Sequence, residues 1–262
     1  MNNRNSNMLH MKNITITILL LFITTAVMAT DEGKKKLFDF GVHTGLDIGA
    51  AVPYPISRLS DGSYKFTAVP KLSPALGVSL THNMNNSFSW SIEATYKTVG
   101  IDAQTWVKDQ RFTIEYDPLT YQYFTGTADA IMSFSMLEAP LFIRYTTKNQ
   151  KNTVMLGGYY SWIVKGHFLT TAKKGTLTSE PLEDDYPLTT GEIVSAPVEM
   201  PLDEYLGNWD VGWIIGYERP ITKEIFFGAR FIMGLHDIFK TKCLEYEMWH
   251  MRGGIVLSWK PF

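Results

Sequence analysis

The 262-residue chain has one cysteine, Cys243, so no internal disulfide holds it together. Its formal net charge of −2 lacks both the basic excess of a nucleic-acid binder and the acidic excess of a disordered tail, so no nucleic-acid partner is expected. Beyond Ala29 no stretch reaches about 18 consecutive apolar residues and no helical period persists over three turns, which excludes a spanning helix. If this chain meets a membrane, it does so as a closed barrel. Charge is also sparse, at 19% of residues against the usual ~25%. Aromatics at 13% and 32 Gly plus Pro (20 + 12) favour strands and turns over long helices.

The first segment is set apart from the fold. "MKNITITILLLFITTAVMA", from Met11, carries a lysine, an apolar run from Ile14 to Ile23 and small residues at Val27 and Ala29. That is the pattern of a secretory signal over residues 1–29, removed on export. No cysteine follows the cleavage position, so an N-terminal lipid anchor is not expected, and residues 30–37 form a short lead into the domain at 38–262.

In "NWDVGWIIGYERP" (Asn208–Pro220), Trp209, Val211, Trp213, Ile215 and Tyr217 alternate with Asp210, Gly212, Gly216 and Glu218. A period of two with one greasy face is a strand. Seven further segments alternate in the same way, near 39–51, 72–81, 88–98, 132–146, 153–165, 224–236 and 248–260. The gaps between the eight separate into two kinds. Those at 52–71, 99–131, 166–207 and 237–247 are long, and those at "NMNN", "TKNQKN" and "RPITK" are short. Strict alternation of long and short connections is the habit of an outer-membrane barrel, with turns on the periplasmic side and loops outside. The reading is all-β: an eight-stranded antiparallel up-and-down transmembrane β-barrel. Its bulky face meets lipid, with aromatic girdles of Phe40, Phe88, Trp90, Tyr145, Tyr217 and Trp259 at the inner side and Trp162, Trp209 and Trp249 at the outer side. The aromatic Phe262 suits a final strand handed to the barrel insertion machinery.

Three stretches carry a resemblance. "MLEAPLFIRY" (Met136–Tyr145) has an acidic residue and a proline inside a strand, "NWDVGWIIGYE" (Asn208–Glu218) opens a strand with Asp-x-Gly, and "GARFIMGLHDI" (Gly228–Ile238) holds an Arg-aromatic-x-x-Gly-Leu pattern. From about Phe38 to Phe262 the chain resembles the outer-membrane β-barrel family of Gram-negative, Bacteroidota-type bacteria that includes PorT-like proteins. The resemblance implies a part in protein secretion across the outer membrane.

Ten ionisable residues fall on the inward face: Asp47, Glu93, Lys97, Glu138, Arg144, Asp210, Glu218, Arg230, Arg252 and Lys260. Eight strands leave room for side chains only, so these charges are expected to pair into a lumen network rather than line a channel. His236 and His250 also face inward by parity near the outer rim, with Asp210 at a similar height and His167 where the fifth strand emerges. Imidazole and carboxylate there allow a metal or acid–base site, against which stand the lack of an HExxH motif and the commoner role of rim histidines as simple hydrogen-bonders. No catalytic group, metal or cofactor is assigned.

Two outer loops stand out. Glu180–Tyr205 holds four prolines and at least seven acidic residues, which argue against further strand pairing and for a charged cap. "EYDPLTYQYF" offers Tyr116, Tyr121, Tyr123 and Phe124 as a partner-contact loop. The expected function is a non-enzymatic structural or interaction role in the outer membrane, accessory to secretion, with membrane lipid and a protein reached through the outer loops as partners. The alternatives are a narrow pore for small solutes, a rim-site lipid-modifying enzyme and a soluble lipocalin-like binder.

Overall fold

A computed structural model describes residues 37–54, 67–114, 117–180, 192–193, 198–241 and 247–261. The signal segment, most of the short lead, Tyr116, Cys243, Phe262 and much of the acidic loop lie outside these. The strands are β1 (Phe38–Tyr54), β2 (Thr67–Pro70), β3 (Leu72–Asn83), β4 (Phe88–Ile114), β5 (Asp117–Thr146), β6 (Thr153–Thr178), β7 (Glu192–Ile193), β8 (Val198–Pro201), β9 (Trp209–Pro220), β10 (Ile225–Gly234) and β11 (Glu247–Trp259). Eight of them close a ring in the order β1-β3-β4-β5-β6-β9-β10-β11 and back to β1, antiparallel throughout. Closure removes both sheet edges, so the backbone of the ring is satisfied without water.

The side-chain period sorts residues as lipid requires. In β9, Trp209, Val211, Ile215 and Tyr217 are exposed while Asp210, Gly212, Ile214, Gly216 and Glu218 are buried. Leu76, Ile92, Leu141, Ile143, Leu156, Phe227, Phe231 and Leu257 continue this outer apolar belt around the ring. Exposed apolar area on this scale is stable only against acyl chains or another apolar surface. Aromatics mark its limits. Phe88 and Tyr145 pack at 5.2 Å near the short-turn end, whereas Trp162 lies opposite Trp209 and Tyr54 stacks on Trp249 at 3.6 Å near the other. Pro140 breaks the β4–β5 ladder locally: the register passes from Ile92↔Leu141 to Thr95↔Glu138 with no pair between, because proline has no N–H to donate.

The loops depart from the expectation of four irregular connections. β4, β5 and β6 have 27, 30 and 26 residues, so the gap expected at 99–131 is largely continuous strand, paired from Val99↔Phe134 up to Ile114↔Asp117. A span needs only ~9 to 11 residues, and the surplus projects on the order of 40 Å beyond the belt at ~3.3 Å per residue. The expectation that Glu180–Tyr205 resists strand pairing is overturned as well. β8 pairs with β6 from Leu169↔Pro201 to Ala172↔Val198, and β7 pairs with β6 at Thr176 and Leu177. Pro201 is tolerated because β8 is an edge strand whose last residue needs no ladder N–H. With β2 on β4 at the other side, the projection is a blade ordered β2-β4-β5-β6-β8.

Candidate functional site

The barrel interior is the part of the molecule where polar chemistry is concentrated. All ten inward ionisable residues named above lie inside it. They comprise five carboxylates and five cations, so these ten are formally neutral as a set.

From the short-turn end upward they form tiers. Glu218 accepts hydrogen bonds from Arg144 and Lys260, each at 2.5 Å, and Arg144 also donates to the Met155 sulfur at 3.0 Å. Above, Arg230 grips Glu93 with two parallel bonds of 2.7 and 2.9 Å, the bidentate geometry that suits guanidinium to carboxylate. His43 stands beside this pair, with Nε2 at 2.9 Å from Thr95 Oγ1 and 3.7 Å from Glu93.

The third tier is a closed cycle. Lys97 donates to Asp47 at 2.8 Å and to Glu138 at 2.7 Å, while Arg252 donates to the same two carboxylates at 3.3 and 2.5 Å. Ser161 adds a bond to Glu138 at 3.2 Å. These strands are distant in sequence but meet across the lumen, so each charge has its countercharge where water is scarce. Asp210 is paired differently: the Tyr159 hydroxyl donates to it at 2.6 Å, and the Tyr159 ring lies 5.7 Å from the Arg252 guanidinium. Gly212 makes room for that ring, since a Cβ there would lie 2.7 Å from it and 2.1 Å from the Met233 carbonyl oxygen.

Above the charges the lumen turns apolar. Val99, Ile101, Met132, Phe134, Met136, Ile163, Phe168, Leu206, Ile238, Phe239 and Met248 form one buried cluster. Leu206 and Phe239 come from outside the ring strands and pair with each other in an isolated bridge, drawing two connections inward as a plug. A latch holds this plug on the outer side. Asp203 accepts from the Phe168 N–H at 2.7 Å and lies 3.1 Å from His167 Nδ1. Partial burial pushes the Asp203 carboxyl up, but the Phe168 N–H and the His167 ring outweigh it and hold it below the usual carboxylate range.

The rim constellation of His236, His250 and Asp210 does not assemble. β10 ends at Gly234, so the parity that put His236 inside no longer applies two residues later; its ring packs on Trp209 at 4.2 Å, on the lipid side. His250 does point inward, fully buried and edge-on to Phe134 at 5.1 Å, with neither ring nitrogen hydrogen-bonded. His167 is engaged by the latch. Among the described residues no group of three or more His, Cys, Asp or Glu is placed to hold a metal. In the expected partner-contact loop, Phe124 is a correction: it is wholly buried, clustered with Val107, Ala128 and Ala172, because β5 continues through it. Tyr123 is half-buried and Tyr121 lies on β5, while Tyr116 falls outside the described residues.

Parity alone did not single out His43, Tyr159 and Ser161 as network members, although it put them on the inward face. The plug left no such sign, since Leu206 and Phe239 lie between alternating segments.

A closed ring of eight strands with a lipid-facing belt and a filled lumen matches a known family: residues 28–240, most of the chain, match the outer membrane protein beta-barrel domain. The chain belongs to this family. The solved structures similar to this outer membrane barrel include Neisserial surface protein A, at 10% identity over 85% of this chain and 97% of that one, with a TM-score of 0.38. They also include the attachment invasion locus protein Ail of Yersinia pestis, in complex with the heparin analogue sucrose octasulfate, at 7% identity over 86% of this chain and 100% of that one, with a TM-score of 0.39. A third is an outer membrane channel of Pseudomonas putida F1, at 10% identity over 88% and 100%, with a TM-score of 0.27. No curated protein matches the chain. Family membership puts the barrel in the outer membrane and sets the soluble lipocalin-like alternative aside.

Proposed function

We propose that this barrel is a non-conducting, non-enzymatic platform of the outer membrane, accessory to protein secretion in the PorT-like manner, whose long blade meets a protein partner outside the cell. The short turns face the periplasm and the blade faces the medium. The carrying observation is the Asp47–Lys97–Glu138–Arg252 cycle beneath an apolar plug. A pore would need this cycle to part, leaving buried charges unpaired at a cost of several kcal/mol. The separation of His236 from His250 and Asp210 speaks against acid–base chemistry at the rim. In favour of a partner surface, the blade is far longer than a span requires, and loops beyond a rigid scaffold are where barrels carry their role.

The test is photo-crosslinking from Gln104 and Asp129, both on the blade, in intact cells, alongside planar-bilayer recording of the purified barrel. Specific crosslinks to a secretion component with a silent bilayer are the expected result. Steady channel events, or crosslinks to lipid alone, contradict the proposal.

A further inference from the structure

The outward face just beyond the aromatic girdle is not uniform in charge. On the β4–β5–β6 side two exposed lysines are neutralised by carboxylates: Lys71 pairs with Asp102 at 2.6 Å, and Lys173 pairs with Asp129 at 3.3 Å. Around the junction of β6, β9 and β10 the pattern changes. Lys165 and His167 lie opposite Ser135 and Ser133, which share the outward face of β5 with Ile131 and Leu137, so both point away from the lumen. Lys240 follows the inward Phe239 and is exposed, and its N–H donates to the Tyr205 carbonyl at 2.9 Å. Among the described residues neither Lys165 nor Lys240 has an ion pair. The neighbouring carboxylate, Asp203, holds the Phe168 N–H and His167 and feels the charge of Lys165 from beyond ion-pair distance.

These two lysines flank one narrow segment. Tyr205–Asn208 runs between β6 and residues 238–240: Ile163 N–H donates to the Asn208 carbonyl at 2.9 Å on one side, and Gly207 N–H to the Ile238 carbonyl at 2.7 Å on the other. Two strand spacings put the Lys165 and Lys240 backbones roughly 10 Å apart. Four-carbon stems allow both ammonium groups to close on one phosphate. Directly below are Trp162, Val164, Tyr160, Trp209 and Val211, all exposed, with His236 packed on Trp209. Two exposed lysines, neither within ion-pair distance of a carboxylate, above an acyl-facing aromatic wall fit an amphiphile with an anionic head.

We propose that Lys165 and Lys240 form a binding site for the phosphate of an outer-leaflet phosphoglycolipid whose acyl chains lie along Trp162, Val164 and Val211. The site rests on the blade facing outward, and it anchors the barrel's rotation relative to the surrounding lipid. Each lysine near such a surface strengthens binding several-fold, and two act together.

The test is native mass spectrometry of the full-length barrel in detergent, titrated with bisphosphorylated lipid A or with its phosphatase-treated form. Lys165→Gln/Lys240→Gln is compared with Lys71→Gln/Lys173→Gln, which removes the same charge from paired lysines, and heat-modifiable gel migration confirms that each variant is folded. The expected result is about tenfold weaker binding for the first variant, parental binding for the second, and weak binding of the dephosphorylated lipid by all. Equal binding by the first variant and the parent, equal loss in both variants, or undiminished binding of the dephosphorylated lipid overturns the site. Orientation is read separately, by labelling Gln104→Cys in a Cys243→Ser background with an impermeant maleimide on intact cells. Failure there overturns the outward blade without touching the detergent titration.

Discussion

Lys97 and Arg252 hold the same two carboxylates, Asp47 and Glu138, from opposite sides of the lumen. Two cations and two anions alternating around a cycle leave no member with a single partner. Removing one corner therefore strands two like charges beside the remaining opposite one, and the penalty is that of a buried unpaired ion rather than of one lost bond. Glu138→Ala is expected to destabilise the barrel by about 3–5 kcal/mol. Urea unfolding in lipid vesicles, followed by heat-modifiable migration, measures it; a loss within the range of an ordinary surface mutation would mean that water reaches the cycle.

Gly212 and Tyr159 are coupled by space. A Cβ at position 212 lies 2.1 Å from the Met233 carbonyl oxygen and 2.7 Å from the Tyr159 ring. Gly212→Ala is expected to push β9 from β10, break the Tyr159–Asp210 bond and lower the yield of folded barrel severalfold in refolding trials. Tyr159→Phe, which keeps the ring and loses only the hydroxyl, leaves the yield near parental but costs about 1–3 kcal/mol because Asp210 loses its donor.

The latch has a definite pH sense. The Asp203 carboxyl is held below its ordinary value in the folded protein, so its contribution is fully present above the unfolded value near 4 and is lost as pH falls through the folded value. Hydrogen exchange at Phe168 and Leu206 is expected to stay protected from pH 7 down to about 4 and to loosen only in stronger acid. Asp203→Asn should loosen it at every pH. Loosening of the parent already at pH 6, well above the range in which Asp203 takes up its proton, would contradict Asp203 as the group that holds the plug.

Leu206 is a plug residue only 7% exposed, seated beside Gly166 and paired with Phe239. Leu206→Asp inserts an unpaired carboxylate into an apolar cluster and is expected to release the 198–206 segment without opening the ring. Limited proteolysis should cut the variant in this segment while the barrel still migrates as folded. Unchanged resistance would show that the plug is held by the latch alone.

Lipid contact is testable by depth. Trp213 lies at the middle of β9, while Trp209 and Trp259 lie at opposite ends of the apolar belt. In single-tryptophan variants, lipids brominated deep in the chain are expected to quench Trp213 most strongly, and those brominated near the headgroup to quench Trp209 and Trp259. Uniform quenching by an aqueous quencher would contradict a membrane-facing belt.

Alternation was the legible part. Trp209, Val211, Ile215 and Tyr217 face out and Asp210, Gly212 and Glu218 face in because a strand's period is two and lipid rewards one face only. Eight such segments, with long and short gaps in turn, lead to a closed antiparallel ring without any coordinates. The same rule failed where its premise lapsed. His236 lies past the end of β10, and Phe124 and Val198–Pro201 belong to strands that the loop composition concealed. By itself, then, the sequence determined which side of the wall each regular residue occupies, since that depends only on local geometry and solvent. The tertiary structure decided who meets whom across the lumen, that Leu206 and Phe239 turn inward to close the mouth, and that three strands run on into a blade. Those outcomes depend on distances between residues tens to hundreds of positions apart, which no local period encodes.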